Sequence, residues 1–198
     1  SGSPKLSGIT LGSDGNVWFT ECGAGAIGKI TPSMAVTQIV LGGGSQPVSI
    51  TAGPDGALWF TDKGKNKIGR IPTTATPANP QVSEYGGATG SSPSGITTGP
   101  DGALWFTECT DPTSGTNNGV SVVARLDENT HAITEYGLSF GGLRPYDIAP
   151  GPDGAVWFGE FEGHSMDRIA LGSSAAVRRR DEPTLKRLRK HHGFGSSS

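Results

Sequence analysis

Four carboxylates recur at one fixed place in the chain. Glu21, Asp62, Glu108 and Glu160 each lie 14 residues after the start of a repeated segment: SGITLGSDGNVWFTE from Ser7, VSITAGPDGALWFTD from Val48, SGITTGPDGALWFTE from Ser94 and YDIAPGPDGAVWFGE from Tyr146. Carboxylate oxygens suit a hard cation such as magnesium or calcium, so these four form a candidate metal site. The plainer role for acidic residues at strand ends is solvation or bonding to nearby backbone amides. His164 follows Glu160 by four residues, with Glu162 between them. An imidazole beside two carboxylates can serve as a base or a ligand, which makes Glu160 and His164 the candidate catalytic pair; a polar loop residue is the alternative for His164. Cys22 and Cys109 each follow a recurring Glu. Without a CxxC or a paired His they read as free thiols rather than metal ligands. His131 falls beside an outer strand and reads as an exposed loop residue.

The repeat dictates the elements that carry these groups. Its tryptophans, Trp18, Trp59, Trp105 and Trp157, are 41, 46 and 52 residues apart, whereas the interval inside each segment is constant. Each segment reads as a β-hairpin. Asp-Gly (Asp14-Gly15, Asp55-Gly56, Asp101-Gly102, Asp153-Gly154) sits between two apolar runs, and Gly supplies the positive φ that such turns demand. The second run, ALWFT or a close variant, is apolar on both faces and therefore lies between two layers. A third strand follows (IGKI from Ile27, IGRI from Ile68, VARL from Val123, MDRI from Met166). A fourth appears in three repeats (VTQI from Val36, VSEY from Val82, ITEY from Ile133). Four strands in a repeat of about 45 residues are the arithmetic of a propeller blade. The expected fold is all-β: a propeller of four-stranded antiparallel blades over residues 1–173, with repeats near 7–41, 48–86, 94–137 and 146–170. Three blades are complete and one is incomplete, forming an arc of a larger ring. A hairpin returns the chain to the rim it left, so Ser7 and Glu21, Val48 and Asp62, Ser94 and Glu108, and Tyr146 and Glu160 should share one mouth. The recurring Trp reads as core. An arc leaves apolar faces and a strand edge open, which predicts self-association.

Composition narrows the partners. The 198 residues include 32 Gly and 14 Pro and are 33% hydrophobic, which demands many short turn-bounded elements. No apolar run approaches the roughly 20 residues of a membrane span. The net charge of −2 divides unevenly: residues 174–198 hold seven Lys+Arg against two Asp+Glu, leaving nine against 16 for the rest. An acidic body excludes a nucleic-acid surface, and the basic segment 174–198 reads as a disordered tail. The composition fits a soluble protein of the bacterial cytoplasm or a secreted or periplasmic one, and the thiols do not choose between them.

GPDGALWFTE, followed by IGRI and an ITEY-type strand, resembles the virginiamycin B lyase family, also called streptogramin lyases, and more loosely the NHL-type propellers. The resemblance covers roughly Leu6 to Ile169. It implies a seven-bladed ring with a magnesium-assisted lyase activity that inactivates an antibiotic, opening the lactone of type B streptogramins by β-elimination. It also implies a small cyclic peptide at the mouth as the partner. Glu21, Glu108 and Glu160 carry over from the family, with Asp62 as a shorter substitute. The slot before the first strand, where the family places a catalytic His in one blade, holds Ser7, Val48, Ser94 and Tyr146 here; Ser94 and Tyr146 become candidate substrate contacts. The second His position is occupied by Gly23, Gly64, Thr110 and Glu162. Proton abstraction from carbon therefore lacks its expected base in this chain. Two other readings fit the same residues: a non-catalytic NHL-type propeller that binds a peptide or glycan, and a metal-dependent lactone hydrolase.

Overall fold

The computed structural model describes residues 5–86, 92–109, 121–138, 144–160 and 166–171. His164, Glu162, Thr110 and the basic segment 174–198 lie outside them. The described residues form four antiparallel sheets, each strand pairing with the next in sequence. Blade 1 is β1 (Leu6–Leu11), β2 (Val17–Glu21), β3 (Ala26–Ile30) and β4 (Val36–Val40); blade 2 is β5 (Pro47–Ala52), β6 (Leu58–Asp62), β7 (Lys67–Ile71) and β8 (Ser83–Gly86). Blade 3 is β9 (Ser92–Thr98), β10 (Leu104–Cys109), β11 (Val122–Leu126) and β12 (Ile133–Gly137). Among the described residues blade 4 has three strands, β13 (Pro145–Pro150), β14 (Ala155–Glu160) and β15 (Met166–Ala170). The first strands of successive blades, β1, β5, β9 and β13, are neighbours and so line the axis. This is an open, partial β-propeller, as the repeat predicts.

The Asp-Gly segment builds each hairpin by two devices. Gly15, Gly56, Gly102 and Gly154 have φ of +75°, +77°, +77° and +72°, the left-handed region that a Cβ penalises. The preceding Asp then ties the turn to the core. Its Oδ1 accepts the indole N–H four residues on, at 3.1 Å for Asp14–Trp18, 3.0 Å for Asp55–Trp59 and Asp101–Trp105, and 2.9 Å for Asp153–Trp157. The other oxygen receives Arg70 Nε at 2.5 Å in blade 2 and Arg125 Nε at 2.7 Å in blade 3, and Arg168 in blade 4. Buried indoles need such a partner for their N–H.

One packing rule joins the blades. The tryptophan face of each blade lies against the phenylalanine face of the next. Trp18, Ile27 and Ile39 meet Ile50, Leu58 and Phe60; Trp59 and Ile68 meet Ile96, Leu104 and Phe106; Trp105, Val123 and Tyr136 meet Ile148, Val156 and Phe158. Trp18, Trp59 and Trp105 are fully buried, but Trp157 is only half-buried. The expectation that all four indoles are equivalent core is corrected at Trp157, because no described blade covers the outer face of blade 4.

A threonine hydroxyl pins each junction. Thr61 Oγ1 accepts Ser49 N at 3.0 Å and donates to Ser94 O of the next blade at 2.6 Å. Thr20 does the same between Gly8 N and Val48 O, and Thr107 between Gly95 N and Tyr146 O. All three side chains are fully buried. Blade 4 has Gly159 at this position and carries no such hydroxyl.

Candidate functional site at the propeller mouth

The first and second strands of each blade meet at the mouth through a β-bulge. Leu6 pairs with Glu21, Pro47 with Asp62, Pro93 with Glu108 and Pro145 with Glu160, with a register shift before the next pair in every blade. The expected rim partners Ser7, Val48, Ser94 and Tyr146 are therefore displaced by one residue, although they stay at the same rim. The bulge places an extra residue on one strand, and in blades 1 to 3 the threonine hydroxyl satisfies the N–H that it frees. In blade 4 the corresponding residue is Asp147, whose side chain accepts the Ile148 N–H at 2.9 Å.

All four carboxylates lie at the same end of equivalent strands, and all four are buried. Glu21 and Asp62 are engaged in structural bonds. Glu21 Oε2 accepts Gln38 Nε2 of the outermost strand at 2.5 Å, which turns it away from the axis. Asp62 Oδ1 accepts Gln46 N at 2.8 Å and Lys65 N at 3.2 Å, capping the loops on either side of it. Asp62 is thus an internal brace for blade 2. Among the described residues no three His, Cys, Asp or Glu side chains come together to hold a metal ion. The magnesium that the resemblance implies does not fit these carboxylates as placed: they are spread one per blade, and two already bind amide donors.

The slot residues divide by exposure. Ser94 is buried and uses its carbonyl as the Thr61 acceptor, whereas Tyr146 is 53% exposed on β13 and accepts Thr107 through its carbonyl. Of the two candidate substrate contacts, only Tyr146 offers side-chain surface. Cys22 is a free thiol. His131 is exposed, as expected, but its ring stacks on Tyr85 at 4.3 Å, and Tyr85 stacks on Trp59 at 5.2 Å.

Sequence reasoning missed the threonines and the aspartates of the turns. Their signal was present: Thr follows Trp by two residues in three repeats, and Asp precedes Trp by four in all of them. The carboxyls of all four turn aspartates lie below their ordinary value. Burial alone would raise Asp55, but hydrogen bonds from Trp59 and Arg70 outweigh it and hold the carboxyl below its ordinary value. Asp101 behaves alike, burial being outweighed by Arg125 and Trp105.

Blades of this kind, with a rim of acidic strand ends, define the class: a WFTE-repeat β-propeller. The model of the virginiamycin B lyase family matches residues 3–179, and the chain belongs to that family. It is 32% identical to a catalytically inactive variant of virginiamycin B lyase from Staphylococcus aureus, solved with quinupristin, over 86% of this chain and 57% of that one, with a TM-score of 0.67. A streptogramin B lyase structure matches at 32% identity and a TM-score of 0.66, over 86% of this chain and 56% of that one. The chain thus spans a little over half the length of these lyases. Regucalcin from Agrobacterium tumefaciens, a calcium-binding protein, shares the fold at 15% identity and a TM-score of 0.63, over 87% of this chain and 56% of that one. None of the curated proteins matches the chain by sequence. No helix among the described residues is long and apolar enough to cross a membrane.

Proposed function

We propose that the protein is a carbon–oxygen lyase of the streptogramin type, which takes a cyclic depsipeptide lactone at the propeller mouth. The observation that supports this reading is its 32% identity to a lyase solved with quinupristin. In the reaction a base takes a proton from a carbon next to a carbonyl. The C–H electron pair becomes a C=C bond, the adjacent C–O bond of the lactone breaks, and the ester oxygen leaves as a carboxylate. No water is consumed. Tyr146, exposed at the rim, offers the ligand an aromatic surface; Glu160 and His164 are the candidates to move the proton.

A second reading, a non-catalytic propeller that binds a peptide at the same rim, is favoured by two observations. No described slot carries a His, and Glu21 and Asp62 are committed to structural bonds. Mass spectrometry of quinupristin incubated with the protein separates the readings. A ring-opened product of unchanged mass, lost in Glu160→Gln and His164→Ala, is expected of the lyase. Gain of one water would instead establish a hydrolase, and binding without turnover would leave the non-catalytic propeller.

A further inference from the structure

The junction of blades 2 and 3 is held at both ends, by the Thr61 hydroxyl at the mouth and by the turn between β11 and β12 at the opposite end. That turn, residues 127–132, reaches back over blade 2. Asp127 frames it: its Oδ1 accepts Asn129 N at 3.1 Å and Thr130 N at 2.9 Å, and its backbone oxygen accepts His131 N at 2.8 Å. His131 has a φ of +58°, a left-handed conformation uncommon for a residue with a Cβ, and its ring lies on Tyr85 of blade 2. Glu128 of the same turn has a carboxyl oxygen, Oε2, that is shut off from solvent and has no hydrogen-bond partner. Such an oxygen is costly for as long as it is charged.

The charges around Glu128 do not relieve it. From blade 2 it faces Asp55, and within its own turn Asp127. The cations bonded to these aspartates are already taken: Arg70 by Asp55 at 2.5 Å, and Arg125 by Asp101 at 2.7 Å and Asp127 at 3.8 Å. Donors from Ala57, Trp59 and Arg70 keep Asp55 ionised. Of the two carboxyls that meet across the junction, Glu128 is therefore the one that yields. Burial first, then Asp55 and Asp127, hold the Glu128 carboxyl above its ordinary value. The other titratable groups at this contact, His131 and Tyr85, meet ring to ring.

We propose that residues 127–132 are a pH-gated clasp on the junction of blades 2 and 3: ionised Glu128 is repelled by Asp55 and the turn grips blade 2 loosely, whereas proton uptake by Glu128 closes the turn onto blade 2. A carboxyl whose native value is raised binds its proton more readily in the folded chain than in the unfolded one. The penalty is therefore full at neutral pH and is relieved as pH falls through the native value towards the unfolded one, near 4. Acidification tightens this junction before it weakens the turn aspartates Asp55 and Asp101. The junction of blades 1 and 2 has no such clasp, because residues 72–82 of blade 2 include no titratable side chain and bury Ala75 against the Trp18 cluster instead. The proposal does not rest on the lyase reading.

Carbon-detected NMR titration of the Glu128 carboxyl in the full chain tests it, together with urea unfolding and amide exchange as a function of pH. The Glu128 midpoint should lie above the ordinary glutamate value and should fall in Asp55→Asn. Glu128→Gln, which is neutral at every pH, should raise the folded-to-unfolded ratio severalfold at about pH 7.5, a gain that vanishes as pH is lowered towards about 4. Exchange of the His131 amide, corrected for its intrinsic pH dependence, should slow severalfold on acidification in the parent chain and not in Glu128→Gln. His131→Phe keeps a ring on Tyr85 without a titrating group, so it should retain the parent's pH response. A Glu128 midpoint at or below the ordinary value would overturn the proposal, as would one that Asp55→Asn leaves in place. A pH response that survives Glu128→Gln, or is lost in His131→Phe, would overturn it as well.

Discussion

Replacing Thr61 by Val isolates the hydroxyl that pins blade 2 to blade 3. The two side chains have nearly the same shape, so packing is kept while Ser49 N loses its acceptor and Ser94 O loses its donor. Thr61 is fully buried and Ser94 nearly so, which leaves water little access to either group. An unmet buried donor or acceptor costs about 1–3 kcal/mol. With both orphaned and a small apolar gain from the added methyl, the expected loss is about 2–4 kcal/mol. For a domain of this size that lowers Tm by roughly 5–15 °C. Urea unfolding followed by tryptophan fluorescence reads the change directly. Thr20→Val is the internal control: its acceptor Val48 is half-buried where Ser94 is buried, so water can replace part of the lost bond and the cost should be about half. A Thr61→Val loss under about 0.5 kcal/mol, the range of a neutral surface change, would refute the assignment. Equal losses at the two positions would refute the link to burial.

Three further outcomes follow from the same geometry. Trp59→Ala should cost about 3–5 kcal/mol as a core truncation, and Trp157→Ala less than half of that, both measured by urea unfolding. The native carboxyls of Asp55 and Asp101 titrate below their unfolded value near pH 4, their burial being outweighed by hydrogen bonds from Trp and Arg. Their contribution is therefore complete above about pH 4 and lost as pH falls through the lower folded values. Asp55→Asn should flatten the acid limb of a stability–pH profile, and an unchanged limb would contradict the shift. Magnesium in the millimolar range should leave Tm unchanged, because Glu21 and Asp62 already bind amides; a rise that saturates with concentration would reveal a site formed by other groups.

Much of the fold was legible in the sequence because its signals are periodic. The Asp-Gly turns, the alternating ALWFT strands and the spacing of Trp18, Trp59 and Trp105 all report local geometry, which residue order encodes directly. The rim was less legible. The bulge shifts each rim pair by one residue, and in blades 1 to 3 the amide it frees is met by a hydroxyl bonded across two blades, which no spacing within one blade reveals. The engagement of Glu21 by Gln38, and of Asp62 by Gln46 N, likewise depends on residues from other strands and loops. The departure of Trp157 from its siblings is a property of the arc's end rather than of the repeat.

The threonine bridges reach the next blade through the carbonyls of Val48, Ser94 and Tyr146, and never through their side chains. An aliphatic, a hydroxyl and a phenol thus occupy one station without disturbing how the ring is locked. Evolution can trial new chemistry at the lip of the channel while the architecture beneath is indifferent to the outcome, so diversification of ligand preference need not be preceded by compensating changes elsewhere.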